Sequence, residues 1–178
     1  KRSYPTVETV SDANRLLERS DIHAVAVATP PSTHYSMIKK ALECDKHVLV
    51  EKPMTENTKD AISLVALANE KKLILMVDHT FIYSGAVRKI REIISSGELG
   101  EILYIDSVRI NLGLFQSDVG VIRDLAPHDI SITDYLVDAK PKSVSAIGIA
   151  PVSYRNRTPD SLVYATIRFD NDLLAHFH

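Results

Sequence analysis

The chain has 178 residues, of which 45% are hydrophobic and 25% are charged, and its formal net charge at pH 7 is -2. That composition is typical of a globular protein, and the small net charge excludes the broad electropositive surface that nucleic-acid binding usually requires. No apolar run approaches the roughly 20 residues that cross a bilayer, and no signal peptide follows Lys1, so we predict a soluble, cytoplasmic protein. The single cysteine, Cys44, excludes an intramolecular disulfide.

The first half of the chain alternates helices with short buried strands. Helices are predicted over residues 11–19, 33–43 and 58–71, and strands over residues 25–28, 47–50 and 74–77. Asn57 or Thr58 provides the N-cap of the third helix. Strands that alternate with helices through tight connections require a parallel sheet, so this half is predicted to be doubly wound α/β.

The second half follows a different pattern. A helix over residues 84–95 and another over 127–137 accompany strands over residues 102–108, 144–149, 162–169 and 173–177. The last two strands form a hairpin that turns at Asp170 and Asn171. This pattern indicates an α+β domain with an open, largely antiparallel sheet. We therefore divide the chain into domains of residues 1–80 and 81–178, separated by a change of pattern and not by a linker.

A carboxylate, an amine and a proline follow the second predicted strand directly, as Glu51-Lys52-Pro53. In open α/β sheets ligands bind at the carboxyl ends of the strands, so Lys52 lies where a bound ligand and catalytic residues are expected. Thr29 and His34, after the first strand, and His79, after the third, belong to the same edge. The alternatives are a solvated Lys52 paired with Glu51, and ordinary turn, helix-start or packing roles for the others.

A second charged motif spans Arg123-Asp124-Leu125-Ala126-Pro127-His128-Asp129. Pro127 suits the first helical turn, which places His128 at the positive end of a helix dipole and favours a neutral imidazole that could act as a base. Asp124, just outside the helix, could cap backbone amides or orient that imidazole. The alternative is that Asp124 and Asp129 only stabilise the helix start and His128 is a partly buried surface residue.

Several common site motifs are missing from the sequence. It contains no GxSxG, no Walker loop and no GxGxxG, which argues against a serine hydrolase or a P-loop nucleotidase. The seven histidines form no HxxxH or similar helical pair, so no metal site is predicted.

Three motifs resemble, in the same order, those of the glucose-fructose oxidoreductase, inositol dehydrogenase and rhizopine-catabolism (Gfo/Idh/MocA) superfamily. They are VAVATPPSTH at residues 25–34, KHVLVEKP at 46–53 and DLAPHD at 124–129. Residues 95–102 and 109–113 are most similar in style to nucleotide-sugar 3-dehydrogenases. The resemblance implies that residues 1–80 are the C-terminal part of a Rossmann domain that binds NAD or NADP. Residues 81–178 would then form an incomplete substrate and oligomerisation domain.

The resemblance also implies roles for individual residues. Lys52, Asp124 and His128 match the catalytic positions of the family: His128 would take a hydroxyl proton from a sugar carbon while hydride leaves for nicotinamide, and Lys52 would stabilise the alkoxide. Asp124 would orient substrate or imidazole. The implied cofactor-binding residues are Thr29, Pro30, His34, Glu51, Lys52, His79 and Arg123, and the residues that could face the substrate are Tyr83, Arg109 and Asn111.

The chain also departs from the family pattern. The first strand, the Gly-rich phosphate-binding turn and the second strand of that pattern have no counterpart here, so we expect a fragment that is inactive alone, and NAD cannot be distinguished from NADP. Three alternatives remain: an inositol or polyol dehydrogenase, a non-catalytic dinucleotide-binding sensor or corepressor, and an interaction module. We expect a small-molecule substrate, no nucleic-acid or membrane partner, and a homo-oligomer formed through the second-domain sheet.

Overall fold

The computed structural model describes residues 4–110, 120–151 and 160–178. The chain divides into two compact units, Lys1–Asp78 and His79–His178. A parallel sheet lies in the first unit and a mostly antiparallel sheet in the second, which confirms the predicted fold class. No helix in the described ranges is long and apolar enough to span a membrane.

The first unit contains three strands and three helices in alternation. They are α1 (Asn14–Leu17), β1 (Ala24–Val27), α2 (Pro31–Glu43), β2 (His47–Val50), α3 (Thr58–Glu70) and β3 (Leu75–Val77). The strands are parallel in the order β1-β2-β3, as the alternation predicted. The predicted cap of α3 is confirmed, because the Asn57 side chain accepts a hydrogen bond from the Asp60 amide at 2.9 Å.

The core of this unit is formed by the inner faces of α2 and α3 and by the strands. Ile38 and Leu42 from α2, Val48 and Val50 from β2, and Leu64 from α3 are at most 2% exposed. These branched side chains recur at helical spacing on the helices and at every second position on β2. Burying them orders the sheet and thereby aligns the carboxyl ends of its strands at one edge.

The second unit begins with a 3-10 helix and ends with a sheet. Its elements are the 3-10 helix (Thr80–Tyr83), α4 (Gly85–Ser95), β4 (Tyr104–Ser107), α5 (Val121–Asp124), α6 (Ala126–Leu136), β5 (Pro141–Ile149), β6 (Leu162–Phe169) and β7 (Leu174–Phe177). The strand order is β4-β7-β6-β5, with β4 and β7 parallel and the other neighbours antiparallel. Phe169, Leu173, Ala175 and Phe177 form its small buried cluster.

Several predicted bounds change in the structure. The helix expected over residues 11–19 is only α1, because the Asp12 carboxylate accepts the Asn14 amide at 2.9 Å in a turn that delays the helix start. The strand expected over residues 102–108 is shorter, since β7 pairs with residues 104–107. The 3-10 helix and α5 were not predicted, because each is a single turn and too short to show a periodic apolar pattern.

Candidate functional site

Polar side chains of the first unit gather where its parallel strands end. The Glu51 amide donates to the Val27 carbonyl at 2.9 Å, and the Asp78 amide donates to the Val50 carbonyl at 2.8 Å. The hydrogen bonds between strands therefore continue one residue past the ends of β2 and β3. Glu51 and Lys52 therefore leave the sheet beside the turn that carries Thr29. This carboxyl edge is where ligands bind in open α/β sheets.

The buried side chain of His34 contacts two loops at the carboxyl edge. It lies in the first turns of α2 and is 0% exposed. Its Nε2 atom is 2.8 Å from the Thr29 carbonyl oxygen, and its Nδ1 atom is 2.8 Å from the Pro53 carbonyl oxygen. Both partners are acceptors, so a neutral ring donates to one of them at a time and a doubly protonated ring donates to both. The geometry makes His34 a link between the loop after β1 and the loop after β2.

Replacing His34 with alanine should weaken this link. The substitution removes the ring that lies between the Thr29 and Pro53 carbonyl oxygens and leaves a buried cavity, so we expect the free energy of unfolding to fall by about 3 kcal/mol. Urea unfolding of the complete protein measures this change. His23, an exposed histidine of the same unit, provides the matched control, because His23→Ala should change stability by less than about 0.5 kcal/mol. Equal unfolding midpoints for the two variants would contradict the linking role.

The loops that His34 links present the polar groups of the edge to the outside. Glu51 is exposed, and its Oε2 atom accepts the Lys52 amide at 3.2 Å. Thr29 is also exposed, with its hydroxyl 2.6 Å from that of Thr33, which in turn donates to the Pro30 carbonyl at 2.7 Å. Hydroxyl and carboxylate groups placed in this way can bind the hydroxyls of a ribose or a sugar.

In the second unit, the Arg123-to-Asp129 motif spans the end of α5 and the start of α6. Asp124 is the last residue of α5, and Leu125 is the N-cap of α6, which begins at Ala126. Asp124 therefore lies just before the helix that carries His128, as predicted, although it also ends a helical turn of its own. His128 lies in the first turn of α6, as predicted, and its ring contacts that of Phe81 edge to face, with centroids 4.8 Å apart.

The residue next to His128 anchors α6 to the sheet. Asp129 is 7% exposed and accepts two hydrogen bonds from the Arg109 guanidinium, at 2.7 Å to Nε and 2.9 Å to Nη2, and a third from the Ser107 hydroxyl at 3.0 Å. The carboxylate raises the pKa of Arg109 above its ordinary value. Arg109 also lies over the Phe81 ring, 5.2 Å from its centroid, so one network joins Asp129 to the ring that touches His128.

This network gives Arg109 and Asp129 a role that the sequence does not predict. From the sequence, Asp129 is a candidate only for stabilising the helix start, and Arg109 is a residue that could face the substrate. The fork of the guanidinium matches both carboxylate oxygens, which holds the start of α6 in one position. Nothing in the local sequence could have paired two residues that are 20 positions apart, because their contact forms only when the chain folds.

The remaining predicted residues are distributed as follows. His79 precedes the 3-10 helix, and its Nδ1 atom is buried without a hydrogen-bond partner among the described residues. Tyr83 ends that helix and is 49% exposed, with the Arg88 guanidinium 5.6 Å from its ring centroid. Arg123 is exposed on α5. Asn111 lies outside the described residues. The roles predicted for these residues stay predictions.

Two family models match the two halves of this chain. Residues 2–79 match the model described as "Oxidoreductase family, NAD-binding Rossmann fold", and residues 87–178 match "GFO/IDH/MocA C-terminal domain". The first half therefore has the fold of NAD-binding oxidoreductases, with Thr29, Glu51 and Lys52 at the carboxyl edge of its sheet. The chain belongs to the GFO/IDH/MocA oxidoreductase family, which confirms the resemblance of the three motifs.

Similar proteins include enzymes named for nucleotide sugars. A dTDP-3,4-didehydro-2,6-dideoxy-alpha-D-glucose 3-reductase from Saccharopolyspora spinosa is 47% identical over 95 residues, which cover 53% of this chain and 29% of that protein. A UDP-N-acetylglucosamine 3-dehydrogenase from Acidithiobacillus ferrooxidans is 31% identical over 153 residues, covering 85% of this chain and 45% of that protein.

Solved structures have the same fold as this chain. A structure of UDP-N-acetylglucosamine 3-dehydrogenase from Acidithiobacillus ferrooxidans matches with a TM-score of 0.81 at 28% identity, over 96% of this chain and 51% of that one. An oxidoreductase from Pseudomonas syringae matches with a TM-score of 0.85 at 26% identity, over 94% and 48%. This chain thus spans about half the length of these structures and less of the curated relatives.

The residues at the carboxyl edge fit a nicotinamide dinucleotide. The Glu51 carboxylate and the Thr29 hydroxyl are exposed, and together they offer the acceptors and the donor that ribose hydroxyls need. The Lys52 side chain adds a positive charge at the same edge, which suits an anionic ligand or a developing alkoxide. The donor set is therefore consistent with the NAD-binding description of the matched family.

Proposed function

We propose that the complete protein is an NAD(P)-dependent dehydrogenase that transfers hydride between nicotinamide and a ring carbinol of a sugar or nucleotide sugar. The observation that carries the proposal is Glu51-Lys52-Pro53, placed directly after β2 at the carboxyl edge of a parallel sheet. This segment lies within the residues matched by the NAD-binding family model. Hydride acceptance is the chemistry that the nicotinamide supplies when bound.

In the proposed reaction, two residues of this chain act on the substrate hydroxyl. His128 accepts the hydroxyl proton, and the Lys52 ammonium stabilises the charge that develops on the oxygen. Asp124 orients the substrate or the imidazole. The edge-to-face contact with Phe81, at 4.8 Å, supports this proposal because it restrains the His128 ring. Restrained rings are better positioned for proton transfer than mobile ones.

Cofactor binding is assigned in the proposal to Thr29, Pro30, His34, Glu51, Lys52, His79 and Arg123. Thr29 and Glu51 would contact ribose hydroxyls directly. His34 would act through the two loops that it links, since its ring is buried and both nitrogens lie beside carbonyl oxygens. The choice between NAD and NADP depends on the residue that recognises the 2′-hydroxyl or 2′-phosphate.

The substrate class follows from the relatives and is part of the proposal. Both relatives described above are named for reactions at carbon 3 of a nucleotide sugar. Arginine binds diphosphates through paired hydrogen bonds, and the exposed Arg123 is available for that contact. Arg109 is less suited to it, because its Nε and Nη2 atoms already bind Asp129. Polyol oxidation and non-catalytic dinucleotide sensing are the alternatives.

A substrate panel tests the proposal. The complete protein would be assayed for NAD and NADP reduction with UDP- and dTDP-sugars, free sugars and inositols at equal concentrations. We expect kcat/KM for at least one nucleotide sugar to exceed that for every inositol. Higher kcat/KM for an inositol would favour the polyol alternative. Tight dinucleotide binding with no turnover on any substrate would favour a sensor.

The homo-oligomer and the cytoplasmic location stay predictions. One face of the second sheet leaves Tyr104 72%, Ile147 69% and Leu174 44% exposed. Exposed apolar side chains on an open sheet are typical of a surface that another chain covers, which supports the expected self-association.

A further inference from the structure

Three metal-ligating side chains meet on the second sheet, apart from the residues assigned to hydride transfer. Asp106 lies on β4, His176 lies on β7, and His178 follows β7 by one residue. The register pairs Asp106 with His176, and His178 projects on the same side because strand residues alternate. One potential ligand atom from each residue lies within 4.8 Å of those of the other two. We refer to these residues as the β7 histidine cluster.

The rings of the β7 histidine cluster are oriented by neighbours on β6. The Thr166 hydroxyl lies 2.9 Å from Nδ1 of His176, which leaves Nε2 as the nitrogen that can coordinate an ion. The Tyr164 ring stacks against both imidazoles, with centroids 6.2 Å from His176 and 5.4 Å from His178. Histidine ligands of metals typically bond through their second nitrogen to an oxygen that fixes the ring, and Thr166 supplies that oxygen here.

The backbone also holds His178 in place. Its amide donates to the Ser107 carbonyl at 3.0 Å, and its carbonyl accepts the Arg109 amide at 2.7 Å, so the β4–β7 ladder extends through this residue. Its Nδ1 atom is buried without a hydrogen-bond partner among the described residues. A buried polar atom of this kind costs free energy unless it is satisfied, so this imidazole has binding capacity that no described group uses.

We propose that Asp106, His176 and His178 bind a divalent transition-metal ion of the zinc class. Two imidazoles and one carboxylate are ligands that zinc, nickel and cobalt accept, whereas magnesium and calcium prefer oxygen alone. Three protein ligands leave a fourth position for water or another ligand. The ion would connect the edge strand β4 to β7, so it would stabilise the second unit without entering the proposed hydride transfer. In the sequence the two histidines form a His-x-His motif on a strand, which a criterion of helical spacing does not detect.

Zinc titration of the untagged complete protein, after removal of metal with EDTA, tests the proposal. We expect one zinc ion per chain. His176→Gln and His178→Ala should each weaken binding by about 100-fold, and Thr166→Val, which removes only the orienting hydroxyl, by about 10-fold. His23→Ala, which removes an exposed histidine of the first unit, should leave the affinity unchanged.

Cobalt substitution provides a second readout that does not depend on affinity. Two imidazoles, a carboxylate and water should give cobalt the intense visible absorption of a four-coordinate site, and His176→Gln should reduce it. No stoichiometric zinc binding by the folded wild-type protein would overturn the proposal. Equal zinc affinities for His176→Gln and the wild type would also overturn it, since the ion would then lie elsewhere. Neither result would bear on hydride transfer.

Discussion

Replacing Lys52 with methionine in the complete protein should lower kcat by about 10²- to 10³-fold. Methionine keeps the length and apolar stem of the side chain but removes the ammonium, so only the charge at the carboxyl edge changes. Lys52 directly follows β2, where the Glu51 amide bonds to the strand β1 and the Val50 carbonyl accepts the Asp78 amide. Loss of rate with the fold retained would therefore report the charge itself. Steady-state kinetics and circular dichroism together measure both quantities.

Two further variants make this experiment specific. Lys52→Arg keeps the positive charge in a different shape, so it should retain more activity than Lys52→Met if the role is electrostatic. Lys59, exposed in the first turn of α3, is the matched control, and Lys59→Met should change kcat less than twofold. Near-normal turnover of Lys52→Met would remove this lysine from the proposed mechanism.

Replacing His128 with asparagine should lower kcat by about 10²- to 10⁴-fold, because asparagine cannot accept the substrate proton. The effect should also depend on pH. If His128 is the base, we expect kcat/KM of the wild type to fall as pH decreases, because a protonated imidazole cannot accept the substrate proton, and we expect the variant to lack this acidic limb. Arg109 remains protonated throughout, because Asp129 raises the pKa of its guanidinium. A pH-rate profile of both proteins measures the difference.

The control for this substitution is again a histidine outside the site. His23→Asn should leave both kcat and the acidic limb unchanged, because His23 is exposed in the first unit. An acidic limb that persists unaltered in His128→Asn would show that another group is the base. Loss of helical signal in that variant would instead indicate that the ring mainly packs against Phe81, with which it makes its edge-to-face contact at 4.8 Å.

The order and type of most elements follow from the sequence alone. Apolar residues at helical spacing identified α2, α3 and α4, and Gly97, with φ of 76°, follows α4 in the left-handed conformation that stops a helix. Alternation of strands and helices required the parallel first sheet. Periodicity and capping are local properties, so one sequence displays them. The position of Glu51-Lys52-Pro53 at a strand end could be predicted for the same reason.

The contacts between distant polar residues follow from the packing of the folded chain and could not be predicted. The ring of His34 reaches the Pro53 carbonyl 19 positions away, and Arg109 binds Asp129 at a separation of 20. Asp106 meets His176 only because β4 and β7 pair in parallel. Such contacts depend on how distant segments pack, and no local pattern encodes that choice. The sequence therefore predicted that charged residues follow β2 at the end of the strand. The fold shows in addition that His34 holds the loops at that edge, and that Arg109 and Asp129 hold the start of α6.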